Sequence, residues 1–318
     1  MRQASEDAQP HQGRPLRLGI VVAGATGSGK TELAAALALA RDGELVSADS
    51  RQVFQGFDVG TNKSRPAGVA IHLLDVATPA EPYSVGRFLE DAVPCIQEIR
   101  SRDHLPIVVG GTGLYIKALL EGLSELPQRD ELVRQKLEER WQKHGEGALR
   151  KELTAVDPKA AQSIPAGNKQ RLIRALEVVE LTGKPISDAW AERKGAAPGP
   201  WLRLVIQWPP EELRRRLLSR CAALWPLLLE ETRALRESLT GLEPAFESLG
   251  YREALSFLYG DALETEAYGE FERATLAYAK RQRTWFNNQL DAEVIEGGPL
   301  ERMKDQALLA LARAEHHA

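Results

Sequence analysis

Residues 18–31 read LGIVVAGATGSGKT. An apolar, β-branched run gives way to a glycine-rich turn and then to Lys30-Thr31, with the Ala/Leu-rich stretch ELAAALALA behind it. The first part has the texture of a buried strand and the last that of a helix. Between them, Gly24-Ala25-Thr26-Gly27-Ser28-Gly29-Lys30-Thr31 fits G-x-x-x-x-G-K-[ST], the phosphate loop. The spacing has a physical reason. Glycines let backbone N–H groups wrap an anion, the helix that follows points its positive end at the same place, Lys30 adds a point charge, and the Thr31 hydroxyl can ligate Mg²⁺. Four fixed positions coincide by chance in about one chain of this length in a hundred, and the flanking strand and helix patterns lower that further. Gly24 to Thr31 are therefore candidates for gripping a di- or triphosphate-type group.

Working outward, residues 44–47 form a second short apolar run that ends in Ala48-Asp49-Ser50, residues 72–76 a third, and 106–109 a fourth, followed by Gly110-Gly111-Thr112-Gly113. Residues 84–100, despite Pro94, and 114–121 have helical texture. Strands alternating with helices predict an α/β fold: a P-loop parallel sheet with helices on both faces. From Leu126 the texture changes. Residues 130–195 are helical and charged with almost no strand signal, Pro127 marks the way in and Gly195-Ala-Ala-Pro-Gly-Pro200 the way out. A strand returns at 202–207, and the remainder is mostly helical. The expected organisation is a disordered polar tail at 1–15, a P-loop core at 16–125 and 199–318 with C-terminal helices, and a helical insertion domain at 126–198.

The loop alone does not name the reaction. A hydrolysing NTPase has an apolar strand ending in an Asp that helps hold Mg²⁺, whereas residues 106–109 run into Gly-Gly-Thr. This favours a transferase. Asp49 ends the second strand on the side where ligands of open α/β sheets bind. It can accept a proton from an incoming nucleophile, or it can serve as a turn or cap residue.

Composition sets outer limits. The chain has 318 residues with 27% charged and 43% hydrophobic residues, a globular balance. No apolar run approaches the ~18 residues of a membrane span, so no membrane association is expected. The N-terminus lacks the apolar stretch of a signal peptide. Cys95 and Cys221 are too few and too far apart for a disulfide framework or a zinc site. A cytoplasmic protein is expected. The net charge of −4 argues mildly against a nucleic-acid partner. Local balance runs the other way: 14 basic against 11 acidic residues between Arg129 and Lys194, and four basic residues with no acid from Arg273 to Arg283.

The segments GATGSGKTELA, SADSRQVFQGFDVGTNK, HLLDV, YSVGRF, PIVVGGTGLYIKALLEGL, NKQRLIRALEVVELTGKPIS, LGYREAL and AKRQRTWF, in this order from about Leu18 to Phe286, closely resemble the tRNA dimethylallyltransferases. The resemblance implies transfer of a dimethylallyl group from dimethylallyl diphosphate to N6 of adenosine 37, beside the anticodon of tRNA, with Mg²⁺ as cofactor. It implies that the loop, Gly24, Ala25, Thr26, Gly27, Ser28, Gly29, Lys30 and Thr31, holds a diphosphate rather than ATP. It implies catalytic roles for Asp49 as base, Thr31 at the metal and Arg220 on the diphosphate. It implies tRNA contacts from Asp49, Ser50, Arg51 and Gln52, from Thr112, from Gln170, Arg171, Leu172, Ile173 and Arg174, and from Gly250, Tyr251 and Arg252. The family's Arg-x-x-x-Met-x-x-x-Gly pattern is not kept after Arg220, where the run is Cys-Ala-Ala-Leu-Trp-Pro. Arg216, one helical turn away, therefore stays open as the diphosphate's partner. The C-terminal region carries no zinc-finger extension of the eukaryotic kind, so a bacterial-type member, acting as a monomer on the anticodon arm, is expected.

Two rival readings are weaker. A prenyltransferase acting on free adenine nucleotides has no use for a basic insertion, and a P-loop kinase or NTPase lacks its acidic strand end. Lys280 to Phe286 reads equally as a phosphate-contacting helix face and as a solvated face with Trp285 and Phe286 in the core. The lone histidines His72 and His104 read as structural or surface residues.

Overall fold

The strand that precedes the loop, β1 (Gly19–Gly24), is buried along its whole length, as a central strand of a parallel sheet must be. In the computed structural model, which describes residues 18–317, it pairs with β4 (Leu105–Gly110) on one side and β7 (Trp201–Gln207) on the other. Beyond β4 come β2 (Gly43–Ser47) and the two-residue β3 (Ile71–His72). Beyond β7 comes β8 (Glu293–Glu296). The order is β3-β2-β4-β1-β7-β8, parallel throughout. The tail expected at 1–15 lies outside the described residues.

Side chains alternate across a strand, and both sets are buried here. Ile20, Val22, Ile107 and Val109 join a core with α1 (Lys30–Arg41) and α11 (Leu300–His317). Val21, Val46 and Val108 are fully buried as well, and α2 (Val85–Ser101) and α10 (Glu264–Gln289) lie against these strands. The sheet is thus covered on both faces. A second core joins residues 53–59 to α8 (Pro210–Leu235), the 3₁₀ turn Pro244–Glu247, α9 (Tyr251–Tyr259) and α10 around Phe57, Phe246 and Tyr251. Among the described residues no helix is long and apolar enough to cross a membrane.

Two expectations about strands need correcting. The run at 72–76 stops pairing after His72, because Leu73 and Asp75 take positive φ angles of 62° and 57°. Asp75 is drawn out of line by Lys63, 2.5 Å away and buried, and by Arg65. At the opposite edge, β8 carries no sequence signal: in Glu-Val-Ile-Glu only Ile295 is buried. His72 and His104 are structural. Both contact the buried Glu44 carboxylate at 2.6 Å, alongside Arg102. Burial alone would raise the pKa of Glu44, but hydrogen bonds from His72, His104 and Arg102 bring it down to about 2.

The described residues divide into two compact units. One runs to Lys117 and resumes at Ala197, and the other is Ala118–Ala196. The second begins earlier than residue 126, within α3 (Gly113–Glu121). The reason is a short antiparallel ladder of β5 (Leu123–Ser124) with β6 (Arg193–Lys194), which closes both ends of the unit at one neck. Inside it, α4 (Glu131–Val156), α5 (Pro158–Ser163), α6 (Lys169–Thr182) and α7 (Ile186–Ala191) pack around Leu137, Leu149, Leu172 and Ile173.

Candidate active site

The loop between β1 and α1 owes its shape to two glycines. Gly27 and Gly29 hold φ angles of 74° and 88°, where a side chain would be strained. Its carbonyls are taken by protein donors. Trp208 Nε1 donates to the Ser28 carbonyl at 2.9 Å, Arg216 Nε to the Gly27 carbonyl at 3.2 Å, and Lys30 Nζ makes a long 3.5 Å contact with the Ala25 carbonyl. The Arg216 guanidinium also lies over the Trp208 ring, 4.3 Å from its centroid, and Arg220 Nη1 donates to Thr26 Oγ1 at 3.3 Å. From below, the Met303 methyl of α11 would come within 3.4 Å of a Cβ at Gly29.

A cavity of about 880 Å³ opens over this loop, and its whole lining comes from the unit that contains the sheet. Thr26, Gly27, Gly29, Lys30 and Thr31 of the loop line it together with Arg215, Arg216 and Arg220 of α8 and Arg281 of α10. Asp49 enters from the end of β2. Its Oδ1 accepts the Arg51 N–H at 2.9 Å, the turn role that its residue type allows, while the carboxylate as a whole lines the cavity. The turn role therefore holds, and the same residue lines the cavity. Its charge is felt by its neighbours. Burial lowers the pKa of Lys30 from its ordinary value, Asp49 opposes that shift, and Arg220 adds to it. Burial likewise lowers Arg220, which remains a cation nonetheless. Burial first, and then the charge of Asp49, push the Tyr278 phenol up.

The other sequence-derived candidates separate into three groups. Ser50, Arg51 and Gln52 line the cavity beside Asp49. Gln52 is also a brace, donating to the Thr61 and Asn62 carbonyls at 3.1 and 3.3 Å. Thr112 stands behind: its hydroxyl accepts the Ser50 N–H at 2.9 Å. In the helical unit, Gln170 and Arg171 are exposed at the start of α6.

Within 170–174 and 250–252, several side chains are engaged inside the protein. Leu172 and Ile173 are 0% and 1% exposed, in the core of their unit. Arg174 is committed internally, donating to the Pro127 carbonyl at 2.6 Å and pairing with the fully buried Glu177 at 3.0 Å. Gly250 is buried. Tyr251 is 0% exposed, and its hydroxyl accepts the Gly60 N–H at 3.1 Å and donates to Glu231. Arg252 is exposed and pairs with Glu247 at 3.2 Å. Sequence reasoning passed over Thr61, Asn62, Glu247, Tyr278 and Gln282, which all line the cavity. Thr61 and Asn62 lie in the same motif as Asp49. The α10 residues carry the weak signal of a helix whose polar and aromatic positions interleave.

The chain is similar to known proteins over most of its length. The family model described as IPP transferase matches residues 52–289, a stretch that begins just after the loop and Asp49. The tRNA dimethylallyltransferase of Salinispora tropica is 42% identical over 284 residues, 86% of this chain and 87% of that protein. That of Halorhodospira halophila is 42% identical over 86% of this chain and 90% of its own length. Among solved structures, the full-length tRNA isopentenylpyrophosphate transferase of Bacillus halodurans superimposes with a TM-score of 0.68 at 31% identity, covering 94% of this chain and 99% of that one. A eukaryotic dimethylallyltransferase captured acting on tRNA gives a TM-score of 0.73 at 26% identity, covering 93% and 79%. Sequence identity sustained over most of both chains, joined to a common fold around the phosphate loop, establishes that the chain belongs to the IPP transferase family.

Proposed function

We propose that this protein transfers a dimethylallyl group from dimethylallyl diphosphate to N6 of adenosine 37 in tRNA, releasing diphosphate, as a cytoplasmic monomer. The observation that carries the reading is the shared cavity, which the phosphate loop with Lys30, Arg220 and Asp49 line together. The names of the relatives supply the acceptor, tRNA, and the prenyl class of the donor.

In this reading the diphosphate lies against the loop N–H groups and the first turn of α1. The bond between the allylic carbon and the diphosphate oxygen breaks, and its electron pair leaves with the diphosphate. Lys30 and Arg220 stabilise that charge, a task of the oxyanion-hole type. The N6–carbon bond forms, and the N6 proton passes to Asp49. The exocyclic amine is a weak nucleophile, so holding it at the allylic carbon matters as much as basicity. The adenine has to leave its stack to reach the cavity.

Mg²⁺ fits the donor set. Thr31, Glu32 and Asp49 place a hydroxyl and two carboxylates around one cavity, and hard oxygens suit this ion. Among the described residues no three His, Cys, Asp or Glu side chains converge as a ready metal cage; Thr31, Glu32 and Asp49 would hold the ion beside the diphosphate. It would neutralise charge on the leaving group.

Ser50, Arg51, Gln52 and Arg281 at the cavity, with Lys169, Gln170 and Arg171 in the helical unit, are the proposed tRNA contacts. The deciding experiment supplies labelled dimethylallyl diphosphate or labelled ATP, with and without tRNA. The expected result is dimethylallyl label in tRNA and none in free adenosine monophosphate. Phosphate transfer from ATP, or equal prenylation of the free nucleotide, overturns the reading.

A further inference from the structure

Gln282 is a buried amide, 6% exposed, on a helix that enters the chain long after the phosphate loop. Its Oε1 accepts the Thr26 N–H at 2.8 Å, and its Nε2 donates to the Gly111 carbonyl at 2.9 Å. The two partners fix the amide's orientation, since an N–H must meet the oxygen and a carbonyl the NH₂. One side chain therefore bolts the loop after β1 to the turn after β4. The fit leaves no slack: a Cβ at Gly111 would stand 2.3 Å from Gln282 Nε2.

The turn it holds continues to the proposed base. Thr112, next in the chain after Gly111, donates its backbone N–H to the Ala48 carbonyl at 3.2 Å and accepts the Ser50 N–H on its hydroxyl at 2.9 Å. Ala48 and Ser50 are the two neighbours of Asp49. A continuous line of short contacts thus runs from the diphosphate grip at Thr26, through Gln282, Gly111 and Thr112, to both sides of Asp49.

We propose that Gln282 is a positioning residue for the transfer: it fixes the spacing between the phosphate loop, which holds the donor, and Asp49, which receives the acceptor's proton. The inference rests on the dimethylallyl-transfer reading. Transfer between two bound reactants depends steeply on their separation, and a misplacement of about 1 Å can cost about a hundredfold. Gln is suited to the task because it offers an acceptor and a donor at one end. Leucine fills the space and offers neither.

The test compares Gln282→Leu with the parent protein using dimethylallyl diphosphate and tRNA, after thermal melting has shown both to be folded. Loss of the strut should lower kcat roughly ten- to a hundredfold and leave the KM for the donor, and the affinity for inorganic diphosphate, within about threefold. In a Thr112→Ala background the same substitution should cost clearly less than in the parent, because the hydroxyl link to Ser50 is already gone and only the backbone link to Ala48 remains. A merely structural role predicts full additivity, and that result, or an unchanged kcat, overturns the proposal. Should Gln282→Leu not fold, Gly111→Ala displaces the amide from the other side and should give the same kcat-against-KM pattern; a loss of donor affinity instead would also overturn it. If the parent protein moves no dimethylallyl label into tRNA, the transfer reading itself fails, an outcome distinct from failure of the strut.

Discussion

Asp49→Asn isolates charge from shape. The Arg51 N–H that Asp49 Oδ1 accepts at 2.9 Å finds the same acceptor in an asparagine amide, so the turn after β2 should survive and thermal stability should hardly change. What disappears is the capacity to take a proton and the negative charge beside Lys30 and Arg220. Loss of a general base costs about 10²–10⁴-fold in the chemical step, which should appear in single-turnover transfer with tRNA binding preserved. A second signature follows from Lys30. Burial lowers its pKa, and the charge of Asp49 is the largest influence raising it. Removing that charge lets the lysine lose its proton at a lower pH than in the parent. Affinity for inorganic diphosphate, which needs the cation, should therefore fall off at lower pH in the variant as pH is raised. Wherever Lys30 keeps its proton in both proteins, the variant should bind diphosphate at least as well, because one negative neighbour is gone. Turnover within a few-fold of the parent would refute the role of base. An unshifted alkaline limb of diphosphate binding would refute the electrostatic coupling.

Three further outcomes are expected. Replacing Lys169 and Arg171 together by Ala should weaken tRNA binding and flatten its salt dependence by roughly 0.7 to 0.9 in log slope per lost phosphate contact, with diphosphate affinity unchanged; a salt titration giving identical slopes removes them from the interface. Arg174→Ala should act on stability, since it strips the fully buried Glu177 of its cation and frees the Pro127 carbonyl; a charge-assisted contact of this kind is worth about 1.5–3 kcal/mol, read by urea melting, and a change in tRNA affinity without a change in melting would contradict the assignment. Glu44→Gln should flatten the acid limb of unfolding. A carboxyl held at about 2 by His72, His104 and Arg102 contributes stability above the ordinary carboxylate range, and that contribution is lost as pH falls towards 2; parent and variant should differ in slope across that window and converge below it.

The parts of the fold that were legible in the sequence are those where local pattern and long-range packing ask for the same residues. β1, the loop and α1 are contiguous, and glycines at Gly27 and Gly29 declare a backbone that other residues resist. The unpaired stretch after His72 was not legible because an apolar run says nothing of the ion pairs that pull Asp75 aside. The four-residue β8 was missed because it packs only Ile295. Leu172 and Ile173 were carried along with a polar motif although Ala175 and Leu176, one turn on, place them on an apolar helix face; a motif specifies a stretch of chain, while a helix presents only one side of it. Gln282 was hidden for another reason. Its two partners lie 256 and 171 residues away, and no spacing rule reaches so far.

Met303 beneath Gly29, Gln282 against Thr26 and Trp208 on the Ser28 carbonyl have a temporal consequence. The loop is translated long before the side chains that brace it, some of which lie on α10 and α11. Contacts of such long sequence separation form slowly. A nascent chain that has already made β1 and α1 therefore lacks the contacts that brace the loop until α10 and α11 have been made.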